Sequence, residues 1–419
     1  MDSSGNTPLL YDPRRPEVRA DPYPVFHRLQ AEDPVHWSES LGGWVLTRYD
    51  DVRAGLHDHR LSSDRITPFL EHSGRGRPEV QELGQLVGRW VVFTDPPTHT
   101  RLRQLLNTAF TTRAVEHLRP RIQEVVDDLV GRIEGHGRMD AMRDVAYPLP
   151  VIVIAEMLGI PVDDRDRLKA WSDELALFVG SSLGAADKYE RARRGVAEMT
   201  DYFRDLVAAR RREPRDDLIS GLGAAEERGA VLSEDELVAT CVLLLFAGHE
   251  TTTNLIGNGL LALLGHPDQL QALRGDPGLA PSAVEELLRY EGPTQAQTRI
   301  AREDLELRGR NIRRGDRVFL MLSAANRDPA RFPEPDRLDL SRSDNQHLAF
   351  GYGIHFCVGA PLARLEGQIA LTTLVRRLTD LVLLTDTPEW LDSLVFRGVR
   401  SLPVGFGSAP TTGRHAIQT

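Results

Sequence analysis

At 419 residues, with 41% hydrophobic and 27% charged side chains, the chain can bury a substantial core, which excludes disordered, collagen-like and coiled-coil classes. The 51 Lys and Arg against 61 Asp and Glu give a net charge of −10, which repels polyphosphate and argues against a nucleic-acid substrate.

The start, Met1 to Tyr11, carries Asp2 and no basic cluster, and no apolar run reaches the roughly 18 to 20 residues of a bilayer span. A cytoplasmic chain without a membrane anchor is expected. From Asp21 to Leu56 the pattern predicts a short helix, strands at Val35 to Glu39 and Gly43 to Thr47 turned at Leu41-Gly42-Gly43, and a second helix. Weak periodicity with many Gly, Pro and Arg predicts a functional loop or lid from Ser62 to Phe93, a candidate pocket wall. From Pro97 to about Arg212 helices follow one another, punctuated at Pro120, Gly135 to Gly137, Pro148 to Pro150, Gly159-Ile160-Pro161 and Gly180.

The strongest helix signal begins at Ser233, where Ser233-Glu234-Asp235-Glu236 forms a capping box, and runs apolar to Gly265 ahead of Pro267. At 1.5 Å per residue its length is on the order of 48 Å. A helix apolar on most sides belongs in the interior, so this one is expected to be central. A further helix is read over Pro281 to Tyr290, ending at Gly292-Pro293. Gln297 to Leu322 reads as short strands turned at Arg308-Gly309 and Arg314-Gly315-Asp316. After the Pro-rich stretch Pro329 to Pro335 and the segment Ala349 to Cys357, a last helix runs from Val358 to about Leu378, followed by strand-like pieces ending near Phe406. The expected fold class is mainly α with a small β-rich region, its strands near 34–48, 297–322 and 380–406, in a single domain over 1–419.

Two motifs fail at the position that supplies their mechanism. Gly351-Tyr352-Gly353-Ile354-His355-Phe356 lacks the third glycine of a dinucleotide loop, and no βαβ unit surrounds it. His249-Glu250-Thr251-Thr252-Thr253 opens like a helical zinc-protease motif, yet Thr253 stands where the second imidazole belongs. The two cysteines, Cys241 in an apolar run and Cys357 after glycines, do not suggest a disulfide framework and fit a reducing compartment. Cys357 directly precedes a helix, whose N–H groups and positive end are expected to favour a thiolate fit for metal binding or nucleophilic attack. The glycines permit unusual backbone angles or the close approach of a flat cofactor, and His355 can donate to an acidic group. A lone cysteine is more often an inert buried side chain, and the flanking pattern overturns that prior.

The run Phe350-Gly351-Tyr352-Gly353-Ile354-His355-Phe356-Cys357-Val358-Gly359 resembles the haem-binding loop of the cytochromes P-450, the haem-thiolate monooxygenases. The resemblance implies that family's fold, with haem b between the long central helix and the helix after the cysteine loop. It makes Cys357 the axial ligand of iron, a thiolate that favours O–O cleavage, with Phe350, Gly351 and Gly359 against the haem and His355 at a propionate.

In Ala247-Gly248-His249-Glu250-Thr251-Thr252, a mid-helix glycine and successive threonines predict a local distortion, because the hydroxyls compete for backbone carbonyls. A buried helix that tolerates polar residues is the plainer alternative. By resemblance the segment is the oxygen-activation groove. Ala247 and Gly248 then face the haem, Glu250 and Thr251 form the acid–alcohol pair that relays protons to dioxygen, and Thr252 points elsewhere.

Glu286-Leu287-Leu288-Arg289 by itself is a solvated i,i+3 ion pair. It resembles the family's Glu-x-x-Arg, to which Arg337 of Pro335-Asp336-Arg337-Leu338 would add in a buried structural network, although the family has an aromatic residue where Leu338 stands. His99 and Arg103, four apart after Asp95-Pro96-Pro97, share a helix face suited to a carboxylate, a basic surface helix being the plainer alternative. The resemblance makes both of them, with Arg299, donors to the haem propionates. The substrate wall is expected at Leu243, Leu244 and Phe246, at Thr294 to Ala296, and at Val395-Phe396, each equally explicable as core packing.

The implied activity is that of a soluble bacterial-type monooxygenase inserting one atom of dioxygen into an apolar molecule, of polyketide, terpenoid, peptide or fatty-acid-like kind. With no cysteine cluster for an iron–sulfur centre and no length for a fused flavin reductase, electrons from NADH or NADPH would arrive through a ferredoxin or flavodoxin and its reductase. The docking face would include Arg101, Arg113 and Arg364. A peroxide-driven peroxygenase and a non-catalytic haem or ligand-binding protein are the alternatives. The first resembles this chain at the cysteine but carries Arg-Pro in place of Glu250-Thr251, and the second is disfavoured by the full set of oxygen-handling residues.

Overall fold

The computed structural model describes residues 9–182, 184–227 and 232–408, so most of the segment Met1 to Tyr11 lies outside them. Ser233 caps the central helix, Glu234–Gly265: its hydroxyl accepts from the Glu236 amide, and the Glu236 carboxylate accepts from the Ser233 amide. Most of this helix is buried, because it packs on four others, Pro148–Met157, Lys188–Arg212, Ala280–Glu291 and Ala360–Arg377. Such packing needs close approach on one side. A Cβ on Gly248 would lie 2.8 Å from the Ile154 side chain, and one on Gly257 would lie 2.3 Å from the Met142 sulfur. The distortion expected near Ala247–Thr252 is absent: the helix runs unbroken, and hydroxyl competition is confined to Thr251, whose Oγ1 donates to the Ala247 carbonyl at 3.3 Å. The mid-helix glycine serves helix packing rather than a bend.

The strands pair where the alternation places them, with two additions. A five-stranded sheet is ordered Val35–Ser38, Gly43–Leu46, Arg317–Met321, Ala296–Ala301 and Leu61–Ser62, with Gly43–Leu46 and Arg317–Met321 parallel and the other pairs antiparallel. Leu305–Leu307 and Arg310–Ile312 form a hairpin whose two turn residues, Arg308 and Gly309, both have positive φ. A third sheet joins Leu378–Leu383 to Pro403–Ser408 and to Arg138–Asp140. Leu61–Ser62 and Arg138–Asp140 are too short to show a period and are defined only by their partners.

The stretch from Ser62 to Phe93 is not a loop. It folds into helices Ile66–Ser73 and Pro78–Val87, the second burying Val80, Leu83 and Val87 on one face. Helices of 8 and 10 residues separated by Gly74 and Gly76 give periodicity too few turns to register. Pro267 likewise opens a helix, Pro267–Gly275, as well as following one, since proline suits the first turn. Among the described residues no helix is long and apolar enough to cross a membrane.

The Glu286–Arg289 pair is fully buried, but Arg337 is not its third member. The Arg337 side chain is 63% exposed and pairs with Glu334, while Arg342, 11% exposed, directs its Nε to Glu286 at 3.2 Å. Arg337 contributes only its backbone carbonyl, which accepts from Arg289. Asn345 and the Asp339 amide complete the donors on the carboxylate, so four groups donate to one buried charge.

Candidate active site

The cysteine loop is a tight hairpin held by its own backbone. The Cys357 amide donates to the Phe350 carbonyl at 2.9 Å, and Gly351 and Gly353 have φ of +73° and +72°, which only glycine adopts without strain. The Arg103 guanidinium donates to the Phe356 carbonyl, and Arg364 lies 4.5 Å over the Phe350 ring, so two cations brace the loop from either side. Cys357 faces a cavity of about 260 Å³. Desolvation at the cavity wall pushes its thiol up, while the Gly359 and Ala360 amides with Arg103 and Arg364 pull it down. The two amides at the helix end pull toward the thiolate, in the direction the sequence leads one to expect. Cys241, fully buried, is pushed up to about 12 by desolvation and is inert.

Two helices, a strand region and the cysteine loop supply most of the cavity's lining. Helix Thr98–Ala109 and the residue after it present His99, Arg103, Leu106 and Phe110. The central helix presents Leu243, Leu244, Ala247, Gly248, Thr251, Thr252 and Leu255, so Thr252 joins Thr251 at the wall instead of turning away. Thr294 and Gln297 line it from the sheet, and Phe350, His355, Cys357 and Gly359 from the loop. Among the lining residues not expected from the sequence, Leu106 and Leu255 lie one turn, and Phe110 two turns, beyond residues already placed on those faces. Gln297 shares a strand face with Arg299.

The polar groups gather on one side. The rings of His99 and His355 are 4.1 Å apart, and the Nε2 of each is buried without a partner among the described residues. Burial, followed by the nearby Arg299, pushes His355 down to about 3. Arg299 does not itself line the cavity. It donates to the Gln297 side chain and its guanidinium is pushed down to about 10 by burial. Gly351 also stands behind the wall, where a Cβ would lie 3.1 Å from Gln297.

Glu250 points away from the cavity, toward Asp173, Lys169 and Tyr147. Desolvation, with Asp173 adding, pushes its carboxyl up to about 7, against Asn254 and Lys169. A folded-state pKa above 4.5 means the folded protein holds this proton more tightly than the unfolded chain. Stability is therefore lost as pH rises from about 4.5 through about 7. Glu250→Gln removes that loss: the variant should exceed the parent by up to about 3 kcal/mol at pH 8 and match it at pH 4.5. Urea midpoints at both pH values check this, and an equal gap at both would contradict the shift.

The expected substrate wall is only partly at the cavity. Leu243, Leu244 and Thr294 line it. Phe246 does not: it stacks on Trp90 at 6.1 Å and meets Phe396 at 6.2 Å, so both rings are core. Ala296 is buried under Tyr11 and Phe26, and Val395 lines a second cavity. On the outer face, Arg101 and Arg364 are committed to Glu236 and Glu285, leaving Arg113 as the exposed member of the expected basic set.

A family model for cytochrome P450 matches residues 45–276 and 279–395. The cytochrome P450 monooxygenase PikC of Streptomyces venezuelae is 43% identical over 95% of this chain and 94% of its own. The biotin biosynthesis cytochrome P450 of Bacillus subtilis (strain 168) is 41% identical over 93% and 97%. Among solved structures, myxobacterial cytochrome P450 CYP267B1 in complex with myristic acid superposes with a TM-score of 0.86 at 42% identity, covering 95% of this chain and all of that one. With the family model spanning most of the sequence and such relatives matching nearly end to end, this chain belongs to the cytochromes P450 and is a haem-dependent monooxygenase.

Proposed function

We propose that Cys357 binds the iron of haem b in the first cavity and that Thr251 and Glu250 manage protons on the opposite wall. The observation that carries this reading is that Cys357 and Thr251, from distant segments, line one cavity whose polar side holds the unpartnered His99 and His355 nitrogens. Those imidazoles, with Arg103 at the wall and Arg299 behind Gln297, suit the two carboxylates of the cofactor, and Phe350, Gly359, Ala247 and Gly248 leave room for a flat ring. Bound haem supplies the iron at which dioxygen is activated and one oxygen atom passes to substrate.

The protein's own work is positioning and proton supply. Thr251 holds its hydroxyl at the wall through the hydrogen bond to Ala247. Glu250, near neutrality on the opposite side of the same turn, can both accept a proton from the Asp173 and Lys169 side and release it inward. Leu243, Leu244 and Leu255 keep the chamber apolar, which excludes bulk water. Electrons would come from NADH or NADPH through a ferredoxin or flavodoxin and its reductase in the cytoplasm. Arg113 and the exposed Ile354 and Phe356 beside the cysteine suit such a partner. The substrate is an apolar small molecule, with relatives named for biotin biosynthesis or bound to myristic acid supporting a fatty-acid-like member of that class.

Thr251→Ala tests the reading. Haem content and substrate binding should hold, while at least about tenfold less product forms per NAD(P)H consumed, the remainder appearing as peroxide or water. Unchanged coupling would remove Thr251 from the relay.

A further inference from the structure

A second cavity, of about 480 Å³, is lined by residues next in sequence to some that line the first. Their linings are neighbours along the chain: Phe93 follows Val91 and Val92, and Thr298 follows Gln297. One wall is an aromatic cluster, Phe69, Phe178 and Tyr189, with ring centroids 5.6 to 6.1 Å apart. The charged residues lining it are Arg65, Lys188 and Arg317; no carboxylate lines it among the described residues. This is unexpected in a chain with ten more acids than bases, and whose arginines mostly sit in ion pairs, as Arg302 does with Asp95.

None of the three cations makes an ion pair among the described residues. Arg65 donates one hydrogen bond, to the Thr298 carbonyl at 3.2 Å, and rests 4.7 Å over Phe93. Lys188 donates to the Ser182 carbonyl, and the nearest acid to it, Asp392, is already held by Ser182, Gly184 and Arg19. Arg317 lies over Phe319 at the exposed rim. Desolvation, with Arg299 adding repulsion, pushes the Arg65 guanidinium down to about 9. A half-buried cation with most of its donors unused and a second cation nearby gains from an anion.

We propose that this cavity takes the anionic end of the substrate, an apolar carboxylic acid whose carboxylate is held by Arg65 with Lys188 while its chain runs past Phe93 into the cysteine cavity. This rests on the haem–cysteine reading and adds the substrate's chemical class to it. A carboxylate suits the planar guanidinium fork, and the aromatic cluster suits the methylene chain beside it.

The test titrates the haem-loaded protein with dodecanoic acid, its methyl ester and dodecan-1-ol, reading the spin-state shift of the Soret band. The acid should bind about tenfold tighter than the two neutral compounds, the scale of one charge-assisted contact. Arg65→Gln should weaken the acid by about that factor and leave the ester, the haem content and the carbon monoxide band unchanged. Lys188→Gln should give a smaller loss in the same direction. Equal affinity for acid and ester in the parent protein overturns the proposal, as does absence of any shift with all three compounds. Loss of haem in Arg65→Gln also overturns it, because Arg65 then serves a cofactor carboxylate. In each case a far-red-shifted carbon monoxide band in the parent shows that the cysteine reading survives, and its absence removes both.

Discussion

Cys357→Ser should abolish the far-red-shifted Soret band of the reduced carbon monoxide complex. Serine is close in size, and the hairpin is held by the amide of residue 357 donating to Phe350 and by Gly351 and Gly353, none of which the change touches. Far-ultraviolet circular dichroism should therefore match the parent. What changes is the donor: a soft, readily deprotonated sulfur becomes a hydroxyl that is a poor ligand for iron. Arg103 and Arg364, which draw the thiol pKa down against burial, cannot compensate for that difference. Monooxygenase turnover should disappear with the band. Persistence of the band in the folded variant would show that the iron is held elsewhere.

Glu286→Ala should be the most damaging single change to folding. It strips the carboxylate that accepts from Arg289, Arg342, Asn345 and the Asp339 amide, leaving the fully buried Arg289 guanidinium without its counter-charge. Removing one partner of a buried pair costs on the order of 3 to 5 kcal/mol. Urea unfolding of the haem-loaded protein should show that loss or a failure to accumulate folded material. Arg342→Ala should cost less, since Arg289 keeps its pair, and Arg337→Ala should fall within about 0.5 kcal/mol of the parent because its side chain is in solvent. A larger cost for Arg337→Ala than for Arg342→Ala would return Arg337 to the network.

That substitution of one arginine for another marks the limit of reading by motif. Glu286 and Arg289 share one helical turn, so their pairing follows from spacing alone. The third cation comes from an irregular segment, where neighbouring arginines at 337 and 342 differ only in how the chain turns between them. The substrate wall was met only in part for a similar reason. Phe246 and Leu244 are two residues apart on one buried helix, and nothing local distinguishes the ring that packs on Trp90 from the side chain that faces the cavity.

The amino-acid sequence by itself carried the glycine-rich cysteine loop, the capped central helix, and the helix face bearing His99 with Arg103. Each is a local matter of spacing, caps and backbone angle within one segment. Tertiary structure alone decided that Cys357 and Thr251 line one cavity, that Glu250 titrates near neutrality, and that Arg65 and Lys188 share a cavity lined by no acid among the described residues. Desolvation and charge pairing depend on which distant segments close over a group, and the chain order does not carry that information.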